Sequence, residues 1–314
     1  MRRSALLFAL LLALACSNDS PGASEAPAGT FRVEVDGFST PESVLHDAAA
    51  DVYLVSNING DPLEAADNGF ISRVTPEGDV QERRWIDGDD RDVVLNAPKG
   101  MAILGDTLYV ADIDCVRMFH RVSGDAAGEV CFEEATFLND VAADEHGVLY
   151  VTDSGFEQTA EGFGPSGTDA VYRFYPDGRR AKLIGGPALG APNGIVFGSR
   201  GGLVVTFGSG EIYQLAPDGS RVVVLPPNPE RQLDGIIMSP DGGFVFSSWG
   251  EQAVLWVGQR GAVTRVLEGV ETPADIGYDA TRNRILVPLF NLDEVVIVDL
   301  PAEAGVAPAV GAAG

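Results

Sequence analysis

Lysine, histidine and cysteine are scarce in this 314-residue chain. Lysine occurs twice, as Lys99 and Lys182, against 19 arginines. The three histidines, His46, His120 and His146, share no helical or zinc-finger spacing, which argues against a zinc site. Basic side chains number 21 against 46 acidic ones, a net charge of −25. That excess excludes a protein that grips a nucleic-acid backbone, which needs clustered Lys and Arg to displace counterions. It speaks for solubility and leaves cation capture open. The body has no 18-residue apolar run, hence no interior membrane-spanning helix. Helical periodicity is missing too, and so are a Gly-x-Ser-x-Gly elbow and a phosphate-cradling loop. The chain is nevertheless 45% apolar, enough to build a large core.

The N-terminus reads as an address. Met1-Arg2-Arg3 is a charged start, Ala5 to Leu14 is apolar, and Ala13-Leu14-Ala15-Cys16 supplies small residues before a cleavage point. This run resembles the bacterial lipobox, with Ala13 where leucine is usual. The resemblance implies a signal peptide over 1–15 and an acylated Cys16. The alternative is ordinary secretion with cleavage nearby. Ser17, where aspartate would retain a lipoprotein, implies an outer-membrane lipoprotein facing the periplasm or the cell surface. Residues 16–29 are rich in Ser, Ala, Pro and Gly and read as a flexible tether. The lipid anchor is then the expected membrane contact, on a monomer. Export also permits a disulfide between Cys115 and Cys131, which flank a turn; two buried thiols are the alternative.

From Phe31 onward, short β-rich runs are broken by Gly, Pro, Asp and Asn. Six segments share one grammar: a polar residue, an apolar strand, a turn and a second apolar strand. They begin at Pro41, Pro98, Leu138, Pro192, Leu233 and Ala274. The second residue of each is Glu42, Lys99, Asn139, Asn193, Asp234 or Asp275, at intervals of 57, 40, 54, 41 and 41. Repeats of about 40–50 residues with four strands are β-propeller blades. The fold expected is all-β, a six-bladed propeller over 30–300. The sixth repeat runs short of a fourth strand, and FRVEVDGF (31–38) alternates as that strand would, closing the ring. The long intervals mark insertions near 59–69 and 156–169, expected as loops on one rim. Residues 301–314 read as a frayed tail.

In a propeller the innermost strands surround a central channel, so the six anchors converge there. An Asn or Asp before Gly is, taken singly, most often a turn former. Six polar residues at one homologous position point instead to a shared role, either lining a water-filled channel or holding an ion. Oxygen donors without sulfur or imidazole suit calcium, magnesium or manganese. A second set lies 13–15 residues after the first three anchors, at Asn57, Asp112 and Asp153. Its counterparts Phe207, Ser248 and Leu289 make the other half of the channel mouth more apolar.

The order Glu, Asn, Asn, Asp on blades one, three, four and five resembles the senescence-marker-protein/gluconolactonase/luciferin-regenerating family. It is carried by Pro41-Glu42, Leu138-Asn139-Asp140, Pro192-Asn193-Gly194 and Leu233-Asp234-Gly235. The resemblance covers roughly residues 38–300. It implies a divalent cation, first of all calcium, on Glu42, Asn193 and Asp234. It implies Asn139 either at the substrate or on the metal through water, Asp234 also as base, and a lactone as substrate. Lys99 departs from a plain cation site. Its ammonium repels a cation unless Glu42 or Asp112 pairs with it, and it could instead hold a substrate carboxylate or stabilise a reacting oxyanion. Asn57, Asp112, Asp153 and Asp275 are the further candidates for substrate contact. The reading is a metal-dependent lactone or ester hydrolase acting on a small molecule. Its rival is a non-catalytic propeller that binds a small ligand or an envelope partner.

Overall fold

The computed structural model describes residues 31–301, apart from 161 and 260. The lipobox, tether and tail lie outside these residues. The described chain forms 26 strands, numbered in order, and one 3₁₀ turn at Pro187–Leu189. Six four-stranded antiparallel sheets account for all strands but two. Blade one is β2 (Pro41–Asp47), β3 (Val52–Asn57), β4 (Phe70–Val74) and β5 (Val80–Asp87). Blade two is β6 (Pro98–Leu104), β7 (Thr107–Asp112), β8 (Cys115–His120) and β9 (Ala126–Cys131). Blade three is β10 (Leu138–Ala143), β11 (Leu149–Asp153), β14 (Ala170–Phe174) and β15 (Arg180–Gly185). Blade four runs from β16 (Pro192–Gly198) through β17 (Gly201–Thr206) and β18 (Ile212–Leu215) to β19 (Arg221–Leu225). Blade five runs from β20 (Leu233–Met238) through β21 (Phe244–Ser248) and β22 (Ala253–Val257) to β23 (Val263–Glu268).

Blade six needs both ends of the propeller. Its order is β24 (Gly277–Asp279), β25 (Arg284–Leu289), β26 (Glu294–Asp299) and then β1 (Arg32–Val35). Strand β1 pairs antiparallel with β26, Arg32 opposite Val298 and Val35 opposite Val295. The N-terminal strand thus closes the ring and covers an open edge. Inner strands pack in a closed cycle: β2 on β6, β6 on β10, β10 on β16, β16 on β20, β20 on β24, and β24 back on β2.

Apolar side chains explain why the blades stack. Both faces of a blade meet a neighbour, so the middle strands are apolar almost throughout, as in β3 (VYLVSN) and β26 (EVVIVD). Six buried clusters result, one in each seam. Val55, Val74, Leu286 and Ile297, for example, fill the seam of blades six and one. The outermost strands face solvent, and Val222 on β19 is exposed.

The two insertions emerge at the rim where inner strands begin and second strands end. Residues 59–69 form a loop between β3 and β4. The second insertion differs from the expected loop: β12 (Phe156–Thr159) and β13 (Gly162–Pro165) pair as a hairpin. Phe156 and Phe163 on its strands both pack edge-on to Phe137, which anchors the hairpin to the rim. Cys115 and Cys131 stand directly opposite on β8 and β9 and are joined as a disulfide.

Candidate metal centre

The anchors sit where each inner strand breaks register with its neighbour. Pairing shifts between Pro41 and Ser43, Pro98 and Met101, Leu138 and Val141, Pro192 and Ile195, and Leu233 and Ile236. Each interval contains an anchor. A bulge frees one residue from the ladder and re-aims its side chain. Asp275 precedes β24 and bridges in parallel to Ser43 of blade one.

The glycines after Lys99, Asn193 and Asp234 are not turn residues, since none has a positive φ. A Cβ on Gly194 would lie 2.6 Å from the Asp234 carbonyl oxygen, and one on Gly235 would lie 2.3 Å from Ile276 N. Glycine is there because the next inner strand passes too close for any side chain. Blade three places Asp140 at this position. Its carboxylate accepts from Val141 N and from Ile195 N of the next blade, each at 2.7 Å. Asp140 is a further buried acid in the ring, beyond the six anchors. Its signal was an acid where three other repeats have glycine.

All six anchors are buried, from Lys99 at 1% exposure to Asp275 at 7%. Among the buried side-chain oxygens without a hydrogen-bond donor are Glu42 Oε2, Asn139 Oδ1, Asn193 Oδ1 and Asp234 Oδ1. The orientation of Asn139 follows from its partner. Ser154 Oγ donates to the Pro192 carbonyl at 2.6 Å, so it accepts from Asn139 Nδ2 at 3.1 Å and leaves Oδ1 free. Asp275 is satisfied differently, accepting from Ser43 Oγ at 2.5 Å.

Burial first, then mutual repulsion, sets the electrostatics. The Glu42 carboxyl is held well above its usual range by burial, then by Asp234 and Asp275, with Lys99 opposing. Asp234 is raised by burial and by Asp275. The indole N–H of Trp249 favours ionised Asp234, though it lacks full hydrogen-bond geometry. Asp140 is raised by burial and Asp275, against the two backbone N–H groups it accepts. Burial pushes Asp275 up to about 7. A set of buried acids with unpaired oxygens is costly unless it meets positive charge or protons.

Lys99 does not supply that charge by an ion pair. Among the described residues, no carboxylate lies within 4.0 Å of its ammonium, and neither Glu42 nor Asp112 pairs with it. Nζ donates to the Ala97 carbonyl at 2.9 Å and to the Pro62 carbonyl, in the first insertion, at 3.2 Å. It also lies 4.4 Å from the centre of the Phe137 ring. Burial pushes its pKa down to about 8, against Asp112, Glu42 and Asp61.

The second polar set has another occupation. Asp112 accepts from Asn96 N, Ala97 N and Asn96 Nδ2 and pairs with Arg117 at 2.9 Å. Asn57 accepts from Ser39 N and donates to Val55 O and Ser72 Oγ. Asp153 Oδ1 accepts from Phe137 N and Gly155 N, both at 3.0 Å. Each thus fastens the loop that leads into its inner strand. The geometry commits Asn57 and Asp112 to the wall rather than to a ligand, and only Asp153 Oδ2 stays without a donor.

Four unpaired oxygens, two from carboxylates and two from amides, sit at homologous positions on the inner strands of four blades. Such a hard donor set fits calcium, magnesium or manganese. Residues 67–276 match the sequence profile of the SMP-30/Gluconolactonase/LRE-like region. The chain belongs to that family. Within the propeller fold this SMP-30/gluconolactonase/LRE-like chain is similar to a gluconolactonase from Xanthomonas campestris (TM-score 0.65, 16% identity, covering 87% of this chain and 90% of that one). It is similar to a luciferin-regenerating enzyme (TM-score 0.63, 12% identity, 86% and 95% covered). A virginiamycin B lyase from Staphylococcus aureus also superposes (TM-score 0.59, 11% identity, 87% and 100% covered). No curated protein matches the chain in sequence.

Proposed function

We propose that the protein is a divalent-metal-dependent hydrolase of a lactone or related ester. The observation that carries this reading is the set of four buried, unpaired oxygens on Glu42, Asn139, Asn193 and Asp234. Glu42, Asn193 and Asp234 hold the cation, calcium in the first instance, with Asn139 beside it. When bound, the cation supplies Lewis-acid polarisation of a carbonyl and acidifies water. Lys99 has committed two of its three N–H groups to carbonyls and offers the third to negative charge developing on the acyl oxygen. Asp234 orients the attacking water and takes its proton as the water oxygen bonds to the acyl carbon. The same proton passes to the leaving alkoxide as the ring C–O bond breaks, giving a hydroxy acid. Cys16, acylated, would tether a monomeric propeller to the outer membrane by lipid alone.

A binding module is the second reading, favoured by the ammonium of Lys99 in the ring. Metal-stripped protein assayed on sugar, homoserine and aryl lactones, before and after calcium or manganese, separates the two. The hydrolase reading predicts turnover that appears with metal. Uniform silence at metal saturation supports the binding module.

A further inference from the structure

The mouth of the candidate site carries an arc of aromatic rings. Phe137 lies 5.5 Å from Phe156, Phe156 lies 6.2 Å from Phe207, Phe207 lies 5.4 Å from Trp249, and Trp249 lies 5.2 Å from Phe290. Phe207, Trp249 and Phe290 are homologous, each directly following the second strand of its blade. Phe156 joins them through the inserted hairpin. Phe137 is buried, and the other four rings are half-buried. The arc meets the anchor ring where Phe137 lies against the Lys99 ammonium.

Beside these rings the indole N–H of Trp249 is left without a partner, while the neighbouring hydroxyls are already used. Ser154 Oγ is spent on the Pro192 carbonyl and Asn139, and Ser248 Oγ donates to the Arg231 carbonyl. Thr206 Oγ1 is shared with Ser209 and Glu211. A polyhydroxylated substrate pressed against this side would surrender hydrogen bonds to water and find few replacements. A flat apolar body would instead cover the rings and gain from their area and edge-to-face geometry.

We infer that the substrate is a lactone or ester bearing an aryl or alkyl body, which lies along Phe156, Phe207, Trp249 and Phe290 while its carbonyl faces the four free oxygens. This rests on the hydrolase reading and goes beyond it in naming an apolar rather than a sugar-derived substrate.

The test compares kcat/KM on metal-saturated protein for dihydrocoumarin, for γ-butyrolactone as a small reference, and for a sugar δ-lactone. The expected order places dihydrocoumarin about 100-fold above the sugar lactone. Phe207→Ala and Phe290→Ala should each shrink the ratio of dihydrocoumarin to γ-butyrolactone by about 10-fold, the scale on which apolar pocket contacts discriminate. Phe207→Leu, which keeps volume without the flat face, should fall between. A sugar lactone equal to or better than dihydrocoumarin overturns the inference. So does a ratio that none of the variants moves although each melts within a few degrees of wild type. If no lactone is cleaved, the hydrolase reading fails by itself, and calorimetric binding of the ring-opened aryl acid against gluconate still tests the arc. Saturable binding of the aryl acid alone supports it; binding of both, or of neither, overturns it.

Discussion

Replacing Asp234 by asparagine should separate the cost of an uncompensated acid from its use as a ligand. The side chain is buried, its Oδ1 has no donor, and burial and Asp275 both disfavour its charge. An amide of the same shape removes that charge. Metal-free Asp234→Asn at pH 8 should therefore melt at or above the metal-free wild type. With metal the order reverses. At a cation concentration about 100 times Kd, a ligand specific to the native state adds about 2.7 kcal/mol. Unfolding entropy near 2.1 cal/mol/K per residue, over roughly 270 residues, is about 0.57 kcal/mol/K, so that increment raises the melting temperature by about 5 °C. Asparagine removes one of two anionic ligands. A charge interaction of about 4 kcal/mol at 4 Å in a medium of effective dielectric 20 makes at least a 100-fold loss of affinity the expected scale. At the same concentration the variant then sits near its own Kd, gains about 0.4 kcal/mol, and shifts by under 1 °C. Differential scanning fluorimetry with and without calcium or manganese reads all four states. A variant that keeps the full shift refutes Asp234 as a ligand. A metal-free variant several degrees below wild type shows that the carboxylate is a structural partner instead.

Three other outcomes follow from the same geometry. Glu42, Asp140, Asp234 and Asp275 titrate higher in the fold than the usual unfolded range near 4, so their stabilising contribution is whole below that range and is lost as pH rises through the folded values, about 7 for Asp275. The melting temperature of metal-free protein should fall between pH 5 and 8 and be nearly flat with metal; a rise across that window without metal contradicts the account. Removing the Cys115–Cys131 disulfide, which spans 16 residues, should cost about 3 kcal/mol in denaturant unfolding, and an unchanged midpoint would show that it constrains nothing. Gly235→Ala would set a Cβ 2.3 Å from Ile276 N, so it should cost about 1–3 kcal/mol and weaken metal binding as β20 and β24 move apart; wild-type stability and affinity would refute the close approach.

The blade count, the convergence of the anchors and the N-terminal closure were legible because they are periodic. Six copies of one pattern report one environment, and a lone strand at each end of the repeats has one edge to cover. The roles of Asn57 and Asp112 were not legible. A polar residue at a strand end reads the same whether it faces a ligand or fastens a loop, and only its hydrogen bonds to Ser39 N or Ala97 N tell the two apart. The glycines after Asn193 and Asp234 resembled turn formers because local sequence carries no trace of the neighbouring inner strand. The aromatic arc was half visible. Spacing alone put Phe207 in the second set beside Ser248, but the register corrects this by one residue: Thr206 stands opposite Pro192 as Ser248 stands opposite Leu233, so Phe207 aligns with Trp249, and the hairpin that brings Phe156 to it depends on contacts across blades.

Calorimetric titration of metal-stripped protein with calcium, at pH 6.5 in two buffers of different ionisation enthalpy, tests the central claim most directly. Ligand oxygens must be deprotonated to hold a cation, so binding to this set of raised carboxyls releases protons. The account predicts one saturable site per chain, a heat that changes with the buffer, and loss of both in the double variant Glu42→Gln/Asp234→Asn. No saturable binding of calcium, magnesium or manganese, or binding that the double variant leaves intact, would contradict it.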